Sequence, residues 1–124
     1  MISEKELIYS ELSKLYTTYN VEASDDVPAN YLVYHLDEMQ AYFQRNDYTL
    51  TVNCIVKVNE ESAGADDLDE MVEAVKAAFY FKSFTTDEIT YTFYYDSTDE
   101  VEEADKLIRR KDVRFTVVGY EERF

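Results

Sequence analysis

The sequence predicts an α+β fold: an antiparallel or mixed sheet of about four strands with two helices packed on one face. Three observations carry that prediction. Apolar residues recur at helical spacing in two separate segments, strand-like segments alternate apolar and polar residues with period two, and the connections between them are short. The predicted order is α-β-(β)-β-α-β-β, in one domain spanning residues 1–124.

The first helix is marked by Ser3 with Glu6, a capping-box spacing in which each side chain accepts from the other's free backbone N–H. Leu7, Ile8, Leu12, Leu15, Tyr16 and Tyr19 form its apolar stripe, and the helix is expected to fray near Asn20. Asp25-Asp26-Val27-Pro28 reads as a loop, because Pro28 pushes Val27 away from helical backbone angles. Tyr31–Leu36 reads as a strand. Asp37–Asn46 fits either a helical turn or the extension of a hairpin.

Tyr48–Val58 is the clearest strand, with Leu50, Val52, Cys54, Val56 and Val58 on one face and Thr49, Thr51, Asn53 and Lys57 on the other. A one-residue slip would expose that whole apolar set, so its register should be fixed. Glu60–Asp66, containing Gly64, reads as a loop. A second helix is expected to start at an Asp66 or Asp67 cap and run to about Tyr80, burying Leu68, Met71, Val72, Val75 and Phe79. Asp67, Asp69 and Glu70 in its first turn suit the positive end of the helix dipole. Ile89–Tyr95 alternates as a half-buried strand, Asp96–Asp105 reads as an acidic connection with a helical turn, and Lys106–Tyr120 closes the fold as a strand.

Of 124 residues, 27 are acidic and 12 basic, a formal net charge of −15. With 46% hydrophobic and 15% aromatic residues the chain is too apolar for disorder and long enough to bury a core without disulfide or metal staples. The charge opposes binding to nucleic acid through a basic face and docking on an anionic membrane. No apolar run reaches the ~20 residues of a membrane span, and none near the start resembles a signal peptide. The expectation is a soluble acidic domain of a reducing cell interior. The charge is uneven: residues 59–105 hold 15 acids and 2 bases, whereas residues 106–124 hold 3 acids and 6 bases.

Catalytic and cofactor chemistry finds little foothold. Gly64 and Gly119 are the only glycines, so no phosphate-cradling loop of the P-loop or dinucleotide type is present. Cys54 lies on the apolar face of its strand, where a thiol behaves as a small hydrophobe, and His35, the only histidine, reads as a structural or surface residue. Asp66, Asp67, Asp69 and Glu70, and Asp96, Asp99, Glu100, Glu102 and Glu103, could gather oxygen ligands. Counted from Asp96, however, the glycine and glutamate of a calcium loop are replaced by Val101 and Leu107. The sequence therefore predicts no enzyme, no cofactor and no metal.

Contact residues are more informative. Tyr91, Phe93, Tyr94 and Tyr95 place aromatics on both faces of one strand, and tyrosine joins apolar area to a polar tip, as interfaces require. Lys106, Arg109, Arg110, Lys111 and Arg114 form the only basic block, which is expected to pair with the acidic segment before it, within or between subunits. The predicted interface is thus Tyr91, Tyr94, Tyr95, Arg109, Arg110, Lys111 and Arg114 with Asp99, Glu100, Glu102 and Glu103.

The layout resembles that of the tail-terminator or tail-completion proteins of long-tailed bacteriophages. The segments that carry the resemblance are the N-terminal helix, Pro28-Ala29-Asn30-Tyr31-Leu32-Val33-Tyr34, the strand Leu50–Val58, a helix beginning Asp67-Leu68 and the strand Val113-Arg114-Phe115-Thr116-Val117. The resemblance implies a non-enzymatic virion structural protein, assembled in the bacterial host cytoplasm. It would form a homo-oligomeric ring, commonly a hexamer, that caps the tail tube and mediates head–tail joining. The implied partners are other copies of itself, the tail tube protein and the head–tail connector, with no sequence-specific nucleic acid and no membrane. Such rings use heterologous contacts, one patch meeting a different patch of the next subunit. An acidic inner wall would let DNA pass without sticking. The alternative from another class is an acidic DNA mimic that inhibits a host nuclease or restriction system; a host regulatory or adaptor domain is a third option.

Overall fold

The computed structural model describes residues 4–20, 28–60, 64–86 and 88–121. Of these, 57% lie in strands, and the expected four-stranded sheet is replaced by a curled, mixed sheet of six. The elements are α1 (Glu4–Ser13), β1 (Thr17–Asn20), β2 (Asn30–Tyr42), β3 (Arg45–Lys57), α2 (Ala65–Phe79), β4 (Ser83–Thr86), β5 (Ile89–Val101) and β6 (Ile108–Glu121). Their order across the sheet is β1-β2-β3-β6-β5-β4. Only β1 runs parallel to its neighbour; all other pairs are antiparallel.

The extra strands have local causes. Helix α1 stops at Ser13 rather than near Asn20, and Thr17–Asn20 pairs instead with Tyr31–Tyr34 of β2. β-branched and aromatic side chains there fit a pleated edge better than a fourth helical turn. Asp37–Asn46 resolves as the hairpin extension, with β2 and β3 joined through Phe43 and Gln44, the latter at φ 62°. The acidic connection does not start at Asp96: β5 continues to Val101, because β6 sets Arg110, Lys111 and Arg114 opposite Val101, Glu100 and Ser97. Strand β4, four residues long, pairs with Ile89–Thr92. The predicted capping residue Ser3 and the Asp25–Val27 loop lie outside the described residues.

One core joins one sheet face to both helices. Leu7, Ile8 and Leu12 of α1 and Leu68, Met71, Val72, Val75 and Phe79 of α2 pack on Leu32, Leu50, Val52, Cys54, Val56, Phe93, Val113 and Phe115. Phe79 stacks on Phe93 with ring centroids 4.6 Å apart and meets Phe115 edge-on at 5.6 Å. Helix α2 begins two or three residues earlier than expected, after Gly64, whose φ of 88° only glycine adopts freely; no side chain caps it. A Cβ at Gly64 would lie 2.4 Å from a methyl group of Val58, so the close approach also demands glycine.

Candidate functional site

The sheet face opposite the helices carries the polar chemistry. There Asn53 of β3 stands between Val33 of β2 and Asp112 of β6. Asn53 and Asp112 are both buried. The Asn53 Nδ2 donates to Asp112 Oδ1 at 2.8 Å, which turns its Oδ1 toward His35 Nε2 at 3.2 Å. The hydrogen of that contact therefore sits on His35 Nε2. Arg110 closes on the carboxylate with both arms, Nε to Oδ1 at 2.8 Å and Nη2 to Oδ2 at 3.0 Å, and reaches Glu103 at 3.5 Å. Its pKa is raised, first by the hydrogen bond to Asp112. Asp99 is directly opposite Asp112, a like-charge pair that Arg114 relieves by pairing with Asp99 and approaching Asp112 at 4.0 Å. Asn53 and Arg110 both donate to Asp112, which ties β3 to β6, and Arg114 ties β6 to Asp99 of β5.

A smaller apolar cluster of Tyr31, Val33 and Ile55, with Tyr19 and Ile108 against it, occupies one end of the same face. Hydroxyls fill much of the rest: Ser83 with Thr92 and Thr85 with Thr90, each at 2.9 Å, and Thr116 donating to Asp96 at 2.7 Å. Cys54 is buried on the core side, and desolvation pushes its thiol up to about 12. Among the described residues no cluster of three His, Cys, Asp or Glu side chains could hold a metal ion. No described helix is long and apolar enough to cross a membrane.

The predicted interface residues are dispersed. Tyr91 is in the core, its hydroxyl 3.5 Å from Glu4 and its ring against Gly119, where a Cβ would come within 2.9 Å. Tyr94 is exposed on the face opposite the helices, whereas Tyr95 is half-buried on the helix side with Lys76 Nζ 4.7 Å from its ring centre. The basic block is matched within the chain. Lys106 pairs with Glu102 at 3.3 Å, Lys111 with Asp69 at 2.8 Å, Arg110 with Asp112 and Glu103, and Arg114 with Asp99. Arg109 and Glu100 line an open cavity of about 190 Å³ where β5 turns into β6.

Two exposed aromatic surfaces are built, Tyr94 apart, from residues outside the predicted interface. At the β2–β3 tip Met39, Tyr42 and Phe43 project, Phe43 being 91% exposed. The Arg45 guanidinium lies between the rings of Tyr42 and Tyr120, at 5.3 and 5.5 Å, and donates to Asp47 at 2.9 Å. Past the end of α2, Phe81 sits at φ 53°, 64% exposed, edge-on to Tyr80 and Tyr94. A left-handed backbone is unusual for a bulky residue. The pairing of acids with apolar residues at 37–43 is the only signal in the sequence that could have located the first surface.

These surfaces adjoin two open sheet margins. Strand β1 covers β2 only as far as Tyr34, and β4 covers β5 only to Thr92, with the Phe93 N–H donating to Lys82 O at 2.9 Å. Beyond those points no described strand pairs with the outer side of β2 or β5. Each open stretch contains a bulge, at Met39 and at Asp96. Comparison with protein-family models and with curated proteins yields no match to the chain.

Proposed function

We propose that the protein is a non-enzymatic assembly component of the tail-terminator kind, forming a ring that caps a phage tail tube and mediates head–tail joining. The observation that carries this reading is the presence of two dissimilar exposed aromatic surfaces on different parts of one sheet. One is the Tyr80–Phe81–Tyr94 patch at the β5 margin; the other is the projecting Met39–Tyr42–Phe43 tip. A ring subunit needs unlike patches for its lateral contact, and a further surface for the tube or connector. In this reading the β5 margin supplies one side of the lateral contact and meets a different patch of the next copy, and the hairpin faces another protein. The DNA-mimic alternative needs a run of unpaired carboxylates, whereas Asp99, Glu102 and Glu103 are each tied to a cation of the 106–114 block.

Light scattering and negative-stain imaging, with and without purified tail tube, test the reading. Rings should form, and Phe81→Ser with Tyr94→Ser should abolish them without lowering the melting temperature. A protein that stays monomeric both alone and with tube would refute it.

A further inference from the structure

We infer that the edge of β2 from Leu36 to Tyr42, which no described strand covers, takes up an extended, lysine- or arginine-bearing segment of a different protein as an added strand. The inference rests on the assembly reading for its partner, the protein that the hairpin faces.

Three features of the hairpin converge. The first is backbone. The Lys57 N–H donates to Ala29 O at 2.7 Å, which makes that opposed pair a hydrogen-bonded one. With the two-residue period of an antiparallel ladder, the odd-numbered residues of β2 face β3 up to the bulge at Met39, after which Gln40 and Tyr42 do. The N–H and C=O groups of Leu36, Glu38 and Ala41 therefore point away from β3, on a margin that β1 leaves at Tyr34. Such a row is a template for an incoming strand.

The second is apolar area. Every residue from Asp37 to Tyr42 is exposed, with Met39 at 67%. The third is charge. Neither Asp37 nor Glu38 has an ion-pair partner among the described residues, while Asp99 of β5 is paired with Arg114 of β6. The two carboxylates alternate to opposite faces of β2, so an added strand meets one on each side and gains most from adjacent cations. Pairing of this edge with the same edge of a second copy would bring Asp37 and Glu38 against like charges, which favours a basic partner here.

The test uses the full chain and a fluorescent octapeptide of valine and threonine bearing two adjacent lysines, followed by anisotropy. Saturable binding is expected, with none for the peptide carrying two glutamates. Asp37→Lys with Glu38→Lys should weaken it about tenfold, the yield of two partly exposed ion pairs. Ala41→Pro removes an outward N–H without touching the β2–β3 ladder; it should abolish binding at an unchanged melting temperature. Failure of the lysine peptide to bind, binding indifferent to Ala41→Pro, or self-association through this edge would each overturn the inference. Peptide binding by a protein that never assembles with tube would instead count against the assembly reading alone.

Discussion

At Cys54 burial sets the chemistry of a single side chain. The thiol shares the core with Val52 and Val56, and desolvation, then the charge of Asp112, raises its pKa from 9.0 to about 12. The folded protein thus holds a proton that the unfolded chain releases near pH 9. This contribution to stability is complete below that pH and is lost at about 1.4 kcal/mol per pH unit as pH climbs toward 12. Burial raises the phenols of Tyr31, Tyr34 and Tyr48 as well, which adds in the same direction. Urea melts between pH 8 and 11 should show falling stability, and Cys54→Ala should flatten the slope. Asp112 illustrates the opposite solution, burial with donors supplied. The sequence placed Asn53 on a polar strand face, but its partner stands on β6, fifty-nine residues away in the chain, beyond any local pattern.

Elements were legible where one period ran unopposed. The α2 stripe from Leu68 to Phe79 is buried as read, and so are the alternating Leu50, Val52, Cys54 and Val56. Other elements were decided by partners. Leu15, Tyr16 and Tyr19 fit a helical period, yet β2 offers Thr17–Asn20 a ladder, and pairing overrides the pattern. Asp96–Val101 looks too acidic for a strand until Arg110, Lys111 and Arg114 are set across from it. Ser83–Thr86 is too short to show a period at all. None of the aromatic tip or the Phe81 turn followed from alternation, because exposure depends on where neighbouring strands stop. The start of α2 hinges on Gly64, which combines a left-handed backbone with contact to Val58. Gly64→Ala should destabilise the fold by about 1–3 kcal/mol, read as a lower denaturant midpoint, whereas Ala65→Gly at the first helical residue should cost less.

Across the whole molecule the charge that first served to exclude partners becomes an internal arrangement with a surplus. The cations of the 106–114 block serve carboxylates of α2, β5 and β6, so the remaining acids repel one another with little local relief. Raising ionic strength should therefore stabilise the protein, by about 1 kcal/mol or roughly 4 °C between low and physiological salt. Thermal melts at fixed pH measure this; a fall with salt would mean that the surface pairs outweigh the net repulsion.

The sheet order also dictates how the chain can acquire its structure. The β2–β3 and β5–β6 ladders join strands that follow one another, but the seam between β3 and β6 spans everything from α2 through β5. Two local hairpins can zip early, each with half of an apolar face and no core to cover it. They become one sheet only when β6 meets β3, from Arg45 beside Tyr120 to Lys57 beside Ile108. Closure entropy is spent before that seam returns anything, so folding belongs to the slow, milliseconds-to-seconds regime of non-local β topologies. Until β6 has left the ribosome, the side of β3 that will become the centre of the sheet remains an unpaired edge, and β3 carries a single acid, Asp47, against Arg45 and Lys57.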